Sequence, residues 1–425
     1  MDKLSTTVER SFHKIHMPSS REKSVLKETS FIRDRKMSFV EIATLILCGI
    51  NCSTNTALRR YFNKLGKDIT MSQSAFSQAR NKINYDLFKE LFEDTGSHYC
   101  HNELTFRKLG NHKFKGRILS AIDGTQVKLP YTKKLHAYFG TSGQGDRAVT
   151  GRCSIKYDII NDTIMDACFD PFSVGERDQT IQMLSHRTVW KSAKELLIFD
   201  RGYYSFELAQ LMSLREKTEF VMRLPTKRIL AADELGIGSH VISLTDKDGK
   251  SLQLRVVKFK LSTGEIETLV TNVFTKSWSL DDFKELYFLR WPVETTYDIV
   301  KNKIALENFS GLTVNAIYQD VFSSLYLANV IAFAKFEADK QIKAARTHKD
   351  NKFEYQPNVN EIVGIFKDSF ITACLEDDPV HRANIAMKIV KSATDYAVPI
   401  RPGLSIPRPD RVRALRLRHN QKQNC

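Results

Sequence analysis

Cysteine is scarce in this chain and follows no paired pattern. Seven occur among 425 residues, Cys48, Cys52, Cys100, Cys153, Cys168, Cys374 and Cys425, and an odd, scattered set excludes a disulfide framework and points to reduced thiols. A zinc site would need Cys48 and Cys52 together with Cys100 and His101. Cys48, however, lies inside the apolar run Ile42 to Ile50, where a small thiol packs as a core residue. Long apolar runs are missing as well. No stretch reaches the roughly eighteen consecutive apolar residues of a membrane span, and the opening MDKLSTTVERSFHKIH has no apolar signal core. Membrane insertion and secretion are therefore not expected, and the cytoplasm is the expected place of work. The glycines of GTSGQGDRAVTG (140–151) are not followed by Gly-Lys-Ser/Thr, so a nucleotide-cradling loop is not expected and a surface loop is. Acidic charge is in the minority: Lys plus Arg number 64 against 49 Asp plus Glu, a net +15, which suits a polyanionic partner such as nucleic acid or an anionic membrane surface.

What is present divides into textures. Residues 1 to 110 read as a helical N-terminal domain, with MSFVEIATLILCGI, TNTALRRYFNKLG and SQSAFSQARNKINYDLFKELFEDTG showing apolar residues at helical spacing. Ser72 is placed to cap a helix whose outer face offers Ser74, Ser77, Gln78, Arg80, Asn81 and Lys82, residue types that contact phosphates and base edges. The same face reads equally as the solvated side of a small bundle. From 111 to 312 the pattern is α/β: β-branched runs at RILSAIDGTQVKL, CSIKYDII, TIMDACFDPF and ELLIFDRGYY alternate with helical segments. Short alternating strands (EFVMRLP, LQLRVVKFKL, EIETLVTNVF) make a β-rich insertion at about 224–277. Helical patterns resume over 313–400, and 401–425 is a basic, proline-containing tail without an apolar face.

Three carboxylates stand out by context. Asp123 closes the apolar run Ile118 to Ile122 and precedes Gly124. Asp200 closes Leu196 to Phe199 and precedes Arg201 and Gly202, and Glu294 lies in a late helix. Strand-end and helical carboxylates converging on one sheet edge repel unless divalent cations bridge them, although an Asp before Gly at a strand end is also an ordinary turn residue. Around Glu294 the spacing Tyr287-x2-Arg290-x3-Glu294-x6-Lys301 puts a phenol and two cations on one helical stripe with the carboxylate. As an exposed ion-paired face, the Arg290/Glu294 pair would contribute only about 0.2–0.5 kcal/mol. Pro292 removes a helical hydrogen bond, so the helix is expected to kink or start there.

With these residues in place, the sequence resembles the bacterial insertion-sequence transposases of the IS4 type. The resemblance rests on Ile122-Asp123-Gly124-Thr125, Phe199-Asp200-Arg201-Gly202-Tyr203, the Tyr287/Arg290/Glu294/Lys301 spacing and Leu306-Glu307-Asn308-Phe309-Ser310-Gly311. It runs from about Ser72 to Leu312, since SAFSQARNKI is similar to the family's N-terminal helix. It implies an RNase H-like mixed sheet with helices that carries the β-rich insertion. It also implies a DDE triad of Asp123, Asp200 and Glu294 holding two Mg2+ ions, with Mn2+ as a substitute. Asp123 would bridge both ions, and Tyr287, Arg290 and Lys301 would position phosphates.

The implied activity is cleavage of double-stranded DNA at an element's terminal inverted repeats and joining to target DNA, by a homodimer in the DNA complex. The alternatives are a nuclease of the same fold without strand transfer, and a retired transposase that only binds DNA. Some relatives hold a flipped base on an insertion tryptophan. This chain has none between Asp200 and Trp278, and Phe220, Phe259 and Phe274 are the aromatic substitutes, with core packing as their expected role.

Overall fold

The apolar run Ile118 to Ile122 forms the middle of a twelve-residue strand, β1 (Arg117–Lys128), buried from Ile118 to Ile122 without alternation, as expected of a strand covered on both faces. The computed structural model describes residues 2–33, 35–50, 52–101, 114–142, 148–186, 194–261, 263–290, 293, 296–297, 299–304, 306–346 and 352–401, with backbone alone at 97–101 and 367–368. Strand β1 lies inside an eight-stranded sheet of order β3-β2-β1-β4-β5-β8-β7-β6. Its other members are β2 (Thr150–Asp158), β3 (Thr163–Pro171), β4 (Lys194–Phe199), β5 (Thr218–Arg223), β6 (Gly238–Thr245), β7 (Ser251–Lys260) and β8 (Ile266–Thr271).

The pairings β1 with β4 and β4 with β5 are parallel, in registers that set Ala121 opposite Ile198 and Phe199 opposite Met222. The three strands therefore run in the same direction, and where the β1–β4–β5 pairing ends stand Asp123, two residues past the last β1–β4 pair and still inside β1, Asp200, just after β4, and Arg223, the last residue of β5. Carboxyl ends of parallel strands are where open α/β sheets build their sites. The expected α/β core is thus a mixed sheet flanked by helices. Strands of the 224–277 segment, read in sequence as an insertion, do not stand apart: β8 pairs antiparallel with β5, β7 with β8 and β6 with β7. They continue the same sheet because β5 offers an unpaired edge whose backbone groups need partners.

Contacts divide the chain into two compact units, one of Met1–Thr95, Val127–Gly151 and Asp298–Cys425, the other of Gly96–Gln126 and Arg152–Tyr297. The N-terminal and C-terminal helices, separate regions in the sequence, fall in the first. Its centre is the helix Val314–Arg346, long and apolar enough by composition to cross a membrane but mostly buried inside the protein. A helix apolar around its whole circumference needs neighbours on every side. Helices Lys3–His16, Phe39–Leu47, Val359–Leu375 and Pro379–Asp395 supply them from both ends of the chain. Helix Phe39–Leu47 starts at a capping box, in which Ser38 accepts from the Glu41 N–H and Glu41 accepts from the Ser38 N–H. Cys48 and Cys52 are buried beside it, while the side chains of Cys100 and His101 and the basic tail 402–425 lie outside the described residues.

Candidate active site

Asp123 carries the centre of the site. One of its carboxylate oxygens accepts the Gly124 N–H at 3.0 Å, and its backbone carbonyl accepts the Tyr297 hydroxyl at 2.6 Å. The carboxyl is pushed up to about 6, mainly by burial. Its Gly124 bond and the Arg290 charge pull the other way, and the charges of Asp200 and Glu176 push it further up.

Asp200, at the end of β4, is more open, with its side chain 41% exposed. Tyr287 donates to its Oδ1 at 3.3 Å, and Nη1 of Arg223 stands 3.9 Å from the same oxygen. Tyr287 is half-buried, and its phenol is pushed up to about 12 by burial and by the Asp200 charge, so it stays a proton donor at neutral pH. The guanidinium carbons of Arg223 and Arg290 lie 5.7 and 5.9 Å from the Tyr287 ring centroid.

Glu294 and its neighbours Trp291 and Pro292 lie outside the described residues. The single helical stripe expected from Tyr287 to Lys301 is not formed as such. The α-helix is Leu280–Phe288, capped by Leu289, and Arg290 follows in a turn. Lys301 belongs to a five-residue π-helix, Ile299–Lys303, in the other compact unit. There its Nζ stands 3.9 Å from Glu307 of the Leu306–Gly311 motif. Among the described residues no three His, Cys, Asp or Glu side chains form a metal-holding group, and Asp123 and Asp200 are the pair the strand ends bring to this edge.

The N-terminal helix is Gln73–Arg80, and Ser72 caps it by accepting from the Ala75 N–H. Ser74, Gln78 and Lys82 are exposed and Ser77 is half-exposed. Arg80 does not belong with them. It is 1% exposed, donates to Gln319, Ser310 and the Ala316 carbonyl, and pairs with Asp320 at 3.0 Å. An eight-residue helix turns Arg80 onto the side of Phe76, four positions earlier and fully buried, so its guanidinium is spent inside the protein. The Ser310-Gly311 pair of the late motif receives it: a Cβ on Gly311 would come within 2.4 Å of the Ala316 Cβ and 3.2 Å of an Arg80 nitrogen. Of the aromatics weighed for base stacking, Phe220 and Phe259 are buried and Phe274 is 45% exposed, while Trp278 is core.

Sequence reasoning missed four residues at this edge. Glu176, first in the helix Glu176–Ser185, lies against Gly124, where a Cβ would meet its Cγ at 2.6 Å. Gly124 is thus explained by that close approach inside a strand, not by a turn. Arg152 approaches Glu176 at 3.4 Å. Arg223 follows an apolar run, Phe220 to Met222, just as Asp123 and Asp200 follow theirs, and that repeated pattern was the available signal. Glu267 alternates on β8 like a solvent residue yet is 2% exposed, and only strand pairing reveals its partners.

A transposase DDE domain model matches residues 114–330. A stretch of 150 residues, 33% of this chain, is 24% identical to a probable transposase for insertion sequence element IS5377 from Geobacillus stearothermophilus, and it spans 39% of that relative's length. A piggyBac transposase in a synaptic complex with hairpin DNA overlays with a TM-score of 0.47 at 11% identity, covering 95% of this chain and 88% of that one.

Proposed function

Because the chain belongs to the family of transposases with a DDE domain, we propose that it cuts DNA at the terminal repeats of an insertion sequence and joins the ends to target DNA. The observation that carries this reading is the strand-end pair of Asp123 and Asp200, with the Asp123 carboxyl pushed up to about 6 by burial and by neighbouring negative charge. Such a site favours divalent cations with oxygen ligands. Asp123 and Asp200 would hold Mg2+, or Mn2+ in its place, with Glu294 as the third carboxylate. Bound there, the ions would supply activation of a water or 3′-hydroxyl and stabilisation of the leaving oxygen.

The chain's own side chains orient the rest. Tyr287 holds Asp200 by a donated hydrogen bond. Arg290, which is 7% exposed, is assigned to phosphate positioning by its planar fork, and Lys301 by its point charge. The exposed Ser74, Ser77, Gln78 and Lys82 are the residues we assign to contact with duplex DNA. Arg80 is assigned to holding their helix in place. The IS4-type grouping is supported by the Tyr-x2-Arg-x3-Glu-x6-Lys spacing, and on that ground we assign a homodimer to the DNA complex and the bacterial cytoplasm as the setting.

The test is incubation of purified protein with Mg2+ and duplex DNA carrying the inverted repeats that flank its gene. Joined product supports the transposase. Nicks without joining would replace it with a nuclease, and retention without cleavage with a DNA-binding protein.

A further inference from the structure

Glu267 is an acid with almost no access to water, and it faces two cations. Arg223 Nε donates to its Oε1 at 2.6 Å and Arg223 Nη2 closes on its Oε2, a two-pronged pairing that fixes the plane of the guanidinium. Nη2 of Arg201, the residue after Asp200, lies 3.8 Å from the same Oε2. Burial opposes the charge on Arg223, but the pairing with Glu267 and the neighbouring Tyr287 and Asp200 hold its pKa above the ordinary arginine value.

The remaining nitrogen of that fork, Nη1, faces Asp200 at 3.9 Å. A charge-assisted N–H to carboxylate bond closes to about 2.7–2.9 Å. The guanidinium therefore stands beside Asp200 without closing on it, and what restrains it is the opposite edge of the fork, held by Glu267. An arginine released from that hold would be drawn onto Asp200, the open carboxylate beside it, and would compete there with any cation.

We infer that Glu267 is a positioning residue of the acidic edge: by gripping Arg223 from β8 it keeps that guanidinium next to Asp200 but off it, leaving Asp200 free to hold a divalent ion. The inference rests on the proposed metal-holding role of Asp200. It also gives the 224–277 segment a task, since β8 reaches Arg223 only because it pairs with β5. A buried ion pair kept only for folding predicts something different, because removing one partner would then cost stability without any specific effect on the neighbouring carboxylate.

The experiment is titration of the full-length, DNA-free protein with Mn2+, reading free ion by electron paramagnetic resonance. It compares wild type, Glu267→Gln, Arg223→Gln and the double variant, with thermal melts alongside. Glu267→Gln is expected to weaken Mn2+ binding about tenfold, because the freed arginine occupies Asp200. Arg223→Gln should bind at least as tightly as wild type, and the double variant should return to that level. Unchanged binding in Glu267→Gln, or a loss that the second substitution does not restore, would overturn the inference. Should Glu267→Gln fail to fold, Arg223→Lys takes its place. It keeps the charge and loses the fork, and should likewise bind about tenfold more weakly, with wild-type affinity counting against the inference. Failure of the wild-type protein to bind Mn2+ at all would instead strike the metal reading itself.

Discussion

Replacing Asp123 by asparagine should make the metal-free protein more stable and useless as a metal ligand. The carboxyl rises from 3.8 to about 6, chiefly through burial, and at 1.36 kcal/mol per unit the ionised form costs the fold about 3 kcal/mol. The sign follows from the direction of the shift. A carboxyl raised in the folded state contributes its stability fully below pH about 4, where it is protonated, and that contribution is lost as pH rises through about 6. Asparagine keeps an oxygen to accept the Gly124 N–H and carries no charge at any pH. Wild type and Asp123→Asn should therefore melt together at pH 4 and separate between pH 4 and 7. Above that the variant should be higher by roughly 6–12 °C, at about 2–4 °C per kcal/mol for a unit of this size. The assay is a set of thermal melts from pH 4 to 8 with a chelator present. Adding Mg2+ at pH 8 should then raise the wild-type melting temperature and leave the variant unmoved. A variant that melts below wild type at pH 8, or a gap independent of pH, would refute the placement of Asp123 as a charge whose burial outweighs its partners.

Arg80→Ala strands Asp320 inside the protein and should cost about 3–5 kcal/mol in a denaturation titration, whereas Gln78→Ala and Lys82→Ala should leave stability within about 0.5 kcal/mol and weaken DNA binding in a salt-dependent way. Gly124→Ala should impair DNA cleavage because the new methyl group meets the Glu176 side chain and pushes the strand carrying Asp123 out of place, and adding Glu176→Ala should recover activity by removing that clash. Arg290→Lys keeps the charge and loses the fork, so single-turnover cleavage at saturating protein should fall about a hundredfold while the dissociation constant for DNA changes less than about threefold.

How far the sequence reached follows from what each signal depends on. Strand β1 and Asp123, β4 and Asp200, and the long late helices are legible because apolar runs and helical spacing are local. Ser72 as a cap is local too. Arg80 was not legible as a buried residue, because a charged residue at a helix end looks solvated until its receivers Ser310, Gln319 and Asp320 arrive from more than two hundred positions away. Glu267 failed for the same reason: alternation marks a strand face but not whether Arg223 covers it. The single stripe from Tyr287 to Lys301 assumed one continuous α-helix, and the helix end at Phe288 together with the π-turn geometry at 299–303 broke that assumption.

The central claim, that the strand-end carboxylates hold a divalent metal, is tested most directly by exchanging Mg2+ for Fe2+ and generating hydroxyl radicals at the bound ion with ascorbate and peroxide. The account predicts backbone scission close to residues 123 and 200, with a further cut near 294, all suppressed by excess Mg2+ and absent in Asp123→Asn. Scission confined to other parts of the chain, or the same pattern in the variant, would contradict it.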